Sequence, residues 1–76
     1  MEDIQIIDLY WLRDESAIRE TDTKYGAFCQ HIAMNILHSF QDSEECVSDT
    51  YGRCWDTMPP QRPGSLRAYL GAIIRN

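Results

Sequence analysis

The sequence of 76 residues has no apolar run approaching the roughly 20 residues that a helix needs to cross a bilayer. It also lacks a basic start, because its first residues, MEDIQIIDLYW, are acidic where a secretory signal peptide would be basic. These two absences predict a cytoplasmic protein with no membrane partner.

Few residues are suited to metal or covalent chemistry. The three cysteines are an odd number, and Cys46 and Cys54 would be separated by about 12 Å of helix rise, too far for a disulfide. No two cysteine or histidine residues show the spacing of a zinc site. There is also no glycine-rich phosphate loop and no histidine placed near a candidate nucleophile. We therefore expect no metal, no cofactor and no enzymatic activity.

Alternating strand patterns are absent too, whereas apolar residues recur three and four positions apart in four segments. The segments cover about residues 3–12, 15–39, 42–55 and 65–76. This pattern predicts an all-α fold, a compact bundle of about four helices that forms a single domain over residues 1–76. The last pattern stops at position 76 without a C-cap, so we expect a fragment of a longer chain.

Local signals suggest where the helices begin and which sides they bury. Asp3, Asp14 and Asp42 are the expected N-caps, and Asp42 with Glu45 resembles a capping box. Asp22 falls among apolar positions without a local explanation. The expected apolar stripe of the second helix contains Ile18, Tyr25, Phe28, Cys29, Ile32, Ala33, Ile36, Leu37 and Phe40.

The third helix, DSEECVSDTYGRCW, has a polar side that carries Glu45, Ser48 and Asp49. Carboxylates on such a side are most simply a solvated surface, and alternatively they bind a basic protein. Trp55 lies on the border between the polar and apolar sides. Its ring either stacks on a nucleic-acid base or covers the core.

Charge is distributed unevenly along the chain. Residues 1–52 carry eleven acids and three bases, a balance of −8, and residues 53–76 carry one acid and four arginines, a balance of +3, which together give the net charge of −5. An acidic protein is a poor nonspecific binder of nucleic acid. Its basic last third, which contains aromatic residues, is suited to a local contact with a single strand.

Three segments in order, KYGAFCQHIAMNIL, DSEECVSDTYGRCW and LRAYLGAIIRN, resemble region 2 of bacterial RNA polymerase sigma factors of the sigma-70 type, especially the extracytoplasmic-function (ECF) group. The resemblance spans nearly the whole chain. It implies a domain that binds the polymerase and helps to open the promoter −10 element. The polar face of the third helix would dock on the coiled coil of the β′ subunit through Glu45, Ser48 and Asp49.

The resemblance also implies where promoter DNA would bind. The loop MPPQRPGS, which contains Arg62, and the start of the next helix, which contains Arg67, would capture a base flipped from the non-template strand. Arg75 and Asn76 match the family's Arg-Asn pair on the path of the melted strand. An anti-sigma factor is a further implied partner.

This chain departs from the family pattern at Ser48, where glutamine is usual, and at Gly52, where leucine is usual. Its basic content is also low for a promoter-melting domain. A second hypothesis is therefore a helical protein-interaction module, a regulatory adaptor with no role in nucleic-acid binding.

Overall fold

Four helices and no strands make up the computed structural model, which describes all residues from 1 to 76. The helices are α1 (Asp3–Trp11), α2 (Ser16–Leu37), α3 (Phe40–Thr57) and α4 (Leu66–Arg75). The predicted all-α bundle of about four helices is confirmed. The longest helix, α2, contacts each of the other three. None of the helices combines the length and the apolar character that crossing a bilayer requires.

The core lies where the apolar sides of α1, α3 and α4 meet α2. The hydroxyl of the fully buried Tyr10 lies 2.7 Å from Thr21 Oγ1, which itself donates to the carbonyl of Ala17. Because the Thr21 proton is used, Tyr10 must be the donor, and burial raises its pKa to about 12. The apolar core consists of Ile6, Ile7, Tyr10, Ala17, Cys29, Ile32, Ala33, Val47, Tyr51, Cys54, Met58, Leu66, Leu70 and Ile74.

The junction between α2 and α3 comes two residues earlier than the sequence suggested. α2 ends at Leu37, His38 adopts a left-handed φ of 55°, and Ser39 caps α3 by accepting the N–H of Asp42 at 3.2 Å. The predicted capping box of Asp42 and Glu45 is therefore wrong. Both carboxylates lie inside a helix that begins at the residue after Ser39.

Because of this early turn, the end of the predicted apolar stripe does not reach the core. Ile36, Leu37 and Phe40 are 49%, 41% and 63% exposed, although the helical pattern placed them inward. They lie around the turn that joins α2 to α3, and Ile36 and Leu37 line an open groove there instead of packing into the core. The sequence pattern records spacing along one helix, whereas burial depends on how far the neighbouring helices extend.

Asp3 was predicted to cap α1, but it joins three helices instead. Glu2 is the capping residue, and its N–H donates to Gln5 Oε1 at 2.9 Å. The carboxylate of Asp3 accepts bonds from Lys24 Nζ at 2.8 Å and from the Tyr25 hydroxyl at 2.6 Å, both on α2. Its second oxygen accepts the backbone N–H at the first residue of α4 at 3.3 Å. This carboxylate therefore helps to position α1 and α4 on α2.

Replacing Asp3 by asparagine should make the fold less sensitive to acid. Burial by itself raises the pKa of Asp3, but the hydrogen bonds from Lys24 and Tyr25 outweigh it and lower the pKa below its ordinary value. The carboxylate therefore stabilises the fold above its unfolded pKa of about 3.9, and this contribution is lost as pH falls through the lower folded-state pKa. We expect Asp3→Asn to have the lower melting temperature at pH 7 and a smaller further loss at low pH. Equal melting temperatures at pH 7 would contradict this role.

Candidate functional site

The polar side of α3 presents three side chains that have no partner within the protein. Glu45, Ser48 and Asp49, which we call the acidic face, are all exposed. Their spacing of three and four residues places them together on one side of the helix. Neither of the two salt bridges of the structure involves them. The acidic face is therefore free to contact another molecule.

A groove of about 490 Å³ borders the acidic face, between α3 and the final turns of α2 and α4. Arg75 and Asn76 line this groove together with Asp49 and are exposed. Gly71 of α4 is buried, and a Cβ at this position would lie 3.0 Å from Arg75 Nη1. Further lining residues are Ile36, Leu37, Asp42, Glu45, Cys46, Thr50, Arg53, Ile73 and Ile74.

On the opposite flank of Ser48, a second groove of about 420 Å³ separates α2 from α3. Here Asp22, which the sequence left unexplained, accepts the hydroxyl proton of Tyr51 at 2.8 Å. Burial is the main reason that the pKa of this hydroxyl is raised. Gly26 also lines the groove, and a Cβ there would lie 2.7 Å from an Asp22 oxygen. Asp22 thus links α2 to α3 through this hydrogen bond, and the bond explains why a carboxylate occurs among apolar positions.

Arg62, in the loop between α3 and α4, lies against α1. Its guanidinium pairs with the carboxylate of Asp8 and stands 5.0 Å from the centre of the Trp11 ring. The indole Nε1–H of Trp11 donates to the carbonyl oxygen of Gln61 at 3.0 Å. Residues of α1 therefore hold the loop, a relation that the sequence analysis did not anticipate.

The remaining predicted DNA contacts are divided between the two ends of α4. Arg67 is in the first turn, and its guanidinium lies 4.4 Å from the centre of the Phe28 ring on α2. Arg75 follows eight residues later, about 12 Å along the helix. The structure thus places Arg62 and Arg67 near the start of α4, and it places Arg75 and Asn76 beside the acidic face. The arginines do not form one continuous edge.

Trp55 makes the contacts expected for the core-covering alternative. Its ring packs against Tyr10, with centroids 6.4 Å apart, and the guanidinium of Arg13 covers it at 3.9 Å. Arg13 Nη1 also donates to the carbonyl oxygens of Trp55 and Met58 at 2.8 and 2.9 Å. Arg13 could not be predicted as a contact of Trp55, because it lies between helices, where helical periodicity carries no information.

The three cysteines are free thiols, and Cys29 and Cys54 are buried. Burial raises the pKa of Cys29 to about 11 and that of Cys54 to about 12. Both thiols therefore stay protonated at neutral pH and pack as small apolar side chains.

No protein-family model matches this chain, and comparisons with curated proteins and with solved structures give no match either. Functional interpretation therefore depends on the acidic face, on the loop beside α1 and on the sequence resemblance.

Proposed function

We propose that this chain is a region 2 domain of an ECF-like bacterial sigma factor, which binds the β′ coiled coil of RNA polymerase in the cytoplasm. The observation that supports the proposal is that the acidic face is exposed and has no partner within the protein. Glu45, Ser48 and Asp49 match the docking positions of the family, and all three are exposed and unpartnered in the fold. A carboxylate surface without internal partners is complementary to a basic protein surface.

The second part of the proposed function is opening of the promoter −10 element. Unstacking a base costs a few kcal/mol, and stacking on an aromatic side chain returns about 1 to 3 kcal/mol. Arg62 and Arg67 lie near the start of α4, where they would hold phosphates of the non-template strand and so set its register. Arg75 and Asn76 would contact the same strand farther along α4. An anti-sigma factor would regulate the domain by covering the acidic face.

The polymerase must supply most of the attraction for DNA in this scheme. The net charge of the chain is −5, and counterion release by basic groups normally dominates affinity for nucleic acid. The isolated chain is therefore a weak DNA binder. Docking comes first and places the loop against the melted strand.

Charge reversal in the acidic face tests the docking step directly. We expect the wild-type chain to retain a β′ coiled-coil fragment in a pull-down, and Asp49→Arg to weaken that binding at least about tenfold, because the new guanidinium would face a basic surface. Glu15→Arg is the matched control, since Glu15 is also exposed and its reversal changes the net charge equally. Failure of the wild-type chain to bind the fragment would overturn the proposal.

A protein-interaction module without a nucleic-acid role is the second candidate. It is favoured by the contacts of the arginines, since Arg62 is paired with Asp8 and Arg67 lies over Phe28. In this alternative, the arginines only stabilise the fold and the acidic face alone binds a partner. The two candidates differ in the effect that reversing the charges of Arg62 and Arg67 has on DNA binding.

A further inference from the structure

α1 ends in an exposed aromatic side chain beside the proline-rich loop. Trp11 is 38% exposed, and it is fixed at the loop by its bond to the carbonyl of Gln61. Arg62 lies 5.0 Å from the ring centre. Gln61 is itself an exposed residue, so a π-face, a cation and a residue that bears an amide are neighbours at the surface.

The two tryptophans of the chain differ in what covers them. Trp55 is packed against Tyr10, and the guanidinium over its ring, that of Arg13, also donates to two carbonyls. Moving Arg13 would therefore break several contacts at once. The guanidinium over Trp11 has one side-chain partner, the carboxylate of Asp8. Trp11 is thus the tryptophan whose ring can be uncovered at low cost.

The pair of Asp8 and Arg62 is itself suited to exchange. Their side chains are 51% and 46% exposed, and exposed ion pairs of this kind contribute little to stability. Arginine binds phosphate with the same forked geometry that it uses for a carboxylate. A phosphate group arriving at the loop can therefore take the place of Asp8 on Arg62.

We propose that Trp11, Gln61 and Arg62 form a site for one unpaired nucleobase and its adjoining phosphate. The base stacks on the indole of Trp11, the amide of Gln61 faces the base edge, and Arg62 exchanges Asp8 for the phosphate. This inference rests on the proposed function and adds α1 to the nucleic-acid surface, which the sequence had confined to the loop and α4.

The fluorescence of Trp11 reports on this site. In a Trp55→Phe variant Trp11 is the sole tryptophan, and a short single-stranded DNA at low salt should quench its emission in a saturable manner. In the converse variant, Trp11→Phe, Trp55 should show no comparable quenching. Absence of quenching of Trp11 at millimolar DNA would overturn the inference.

Affinity measurements with labelled single-stranded DNA and the polymerase core complete the test. Trp11→Leu should weaken binding roughly 5- to 150-fold, the range that corresponds to loss of one stacked base. Asp8→Asn should tighten binding severalfold, because Arg62 is then free for phosphate. If Trp11→Leu lowers the melting temperature, the affinity of Asp8→Asn is the deciding measurement. Unchanged or weaker DNA binding by Asp8→Asn contradicts the exchange of Asp8 for phosphate on Arg62.

Failure of this inference is separable from failure of the proposed function. The pull-down with the β′ coiled coil depends on Asp49, which is on α3, whereas Trp11 is on α1. Coiled-coil binding without Trp11 quenching would reject the base site alone. Loss of coiled-coil binding would reject the proposed function, whatever the behaviour of Trp11.

Discussion

Reversing the charges of Arg62 and Arg67 together should weaken binding of single-stranded DNA to the complex of this chain with polymerase core at least about tenfold. Both side chains lie near the start of α4, where the proposed strand passes. Each lost phosphate contact also lowers the magnitude of the slope of log binding constant against log salt concentration by about 0.7. The slope of the double variant should therefore be smaller in magnitude by about 1.4. Binding of the β′ coiled coil should stay unchanged, because the acidic face is not altered.

The control for this experiment is Arg19→Glu, which reverses an exposed arginine on α2. Arg75 is reversed in a separate variant, because it lines the same groove as Asp49 and its reversal would add a further negative charge there. Unchanged DNA affinity and salt slope in the double variant would favour the protein-interaction module. Equal weakening by Arg19→Glu would show that only net charge matters.

Replacing Arg13 by methionine should lower the free energy of unfolding by about 2 to 4 kcal/mol. The change keeps most of the aliphatic stem but removes the bonds to the carbonyls of Trp55 and Met58 and the cation over the Trp55 ring. The Trp55 carbonyl belongs to the last turn of α3 and the Met58 carbonyl to its C-cap residue, where no helical N–H remains to bond them. For a domain of this size the loss is a large part of the total stability.

Urea unfolding of the wild type, Arg13→Met and Arg19→Met measures this effect. Arg19 is an exposed helical arginine, so its replacement should change the free energy of unfolding by less than about 0.5 kcal/mol. An equal effect of both variants would show that Arg13 does not hold the end of α3. The same measurement also tests how the loop is held, since Met58 is the C-cap residue that connects α3 to the loop.

Features that depend on one helix at a time could be predicted from the sequence. The four helices follow from apolar residues three and four positions apart, and the acidic face follows from the spacing of Glu45, Ser48 and Asp49. Helix ends were less well predicted. More than one residue near a start can serve as the cap, as with Glu2 and Asp3 at α1 and with Ser39 and Asp42 at α3, and the neighbouring turn decides which of them is used.

The candidate DNA-binding site was predicted in composition but not in arrangement. The sequence identified Arg62, Arg67 and Arg75 as basic residues near aromatic ones, yet it could not show that Arg75 lies beside the acidic face. It also gave no sign that Trp11 and Asp8 reach the loop.

The sequence by itself determined the helical class, the exposed side of α3 and the excess of negative charge in the first two thirds of the chain. Only the tertiary structure decided which side chains meet across the bundle. The bond from Trp11 to Gln61 joins positions 50 residues apart, and the pair of Asp8 and Arg62 joins positions 54 apart. Helical periodicity relates residues within a few turns, whereas contacts at these separations depend on how α1 and the loop pack on α2.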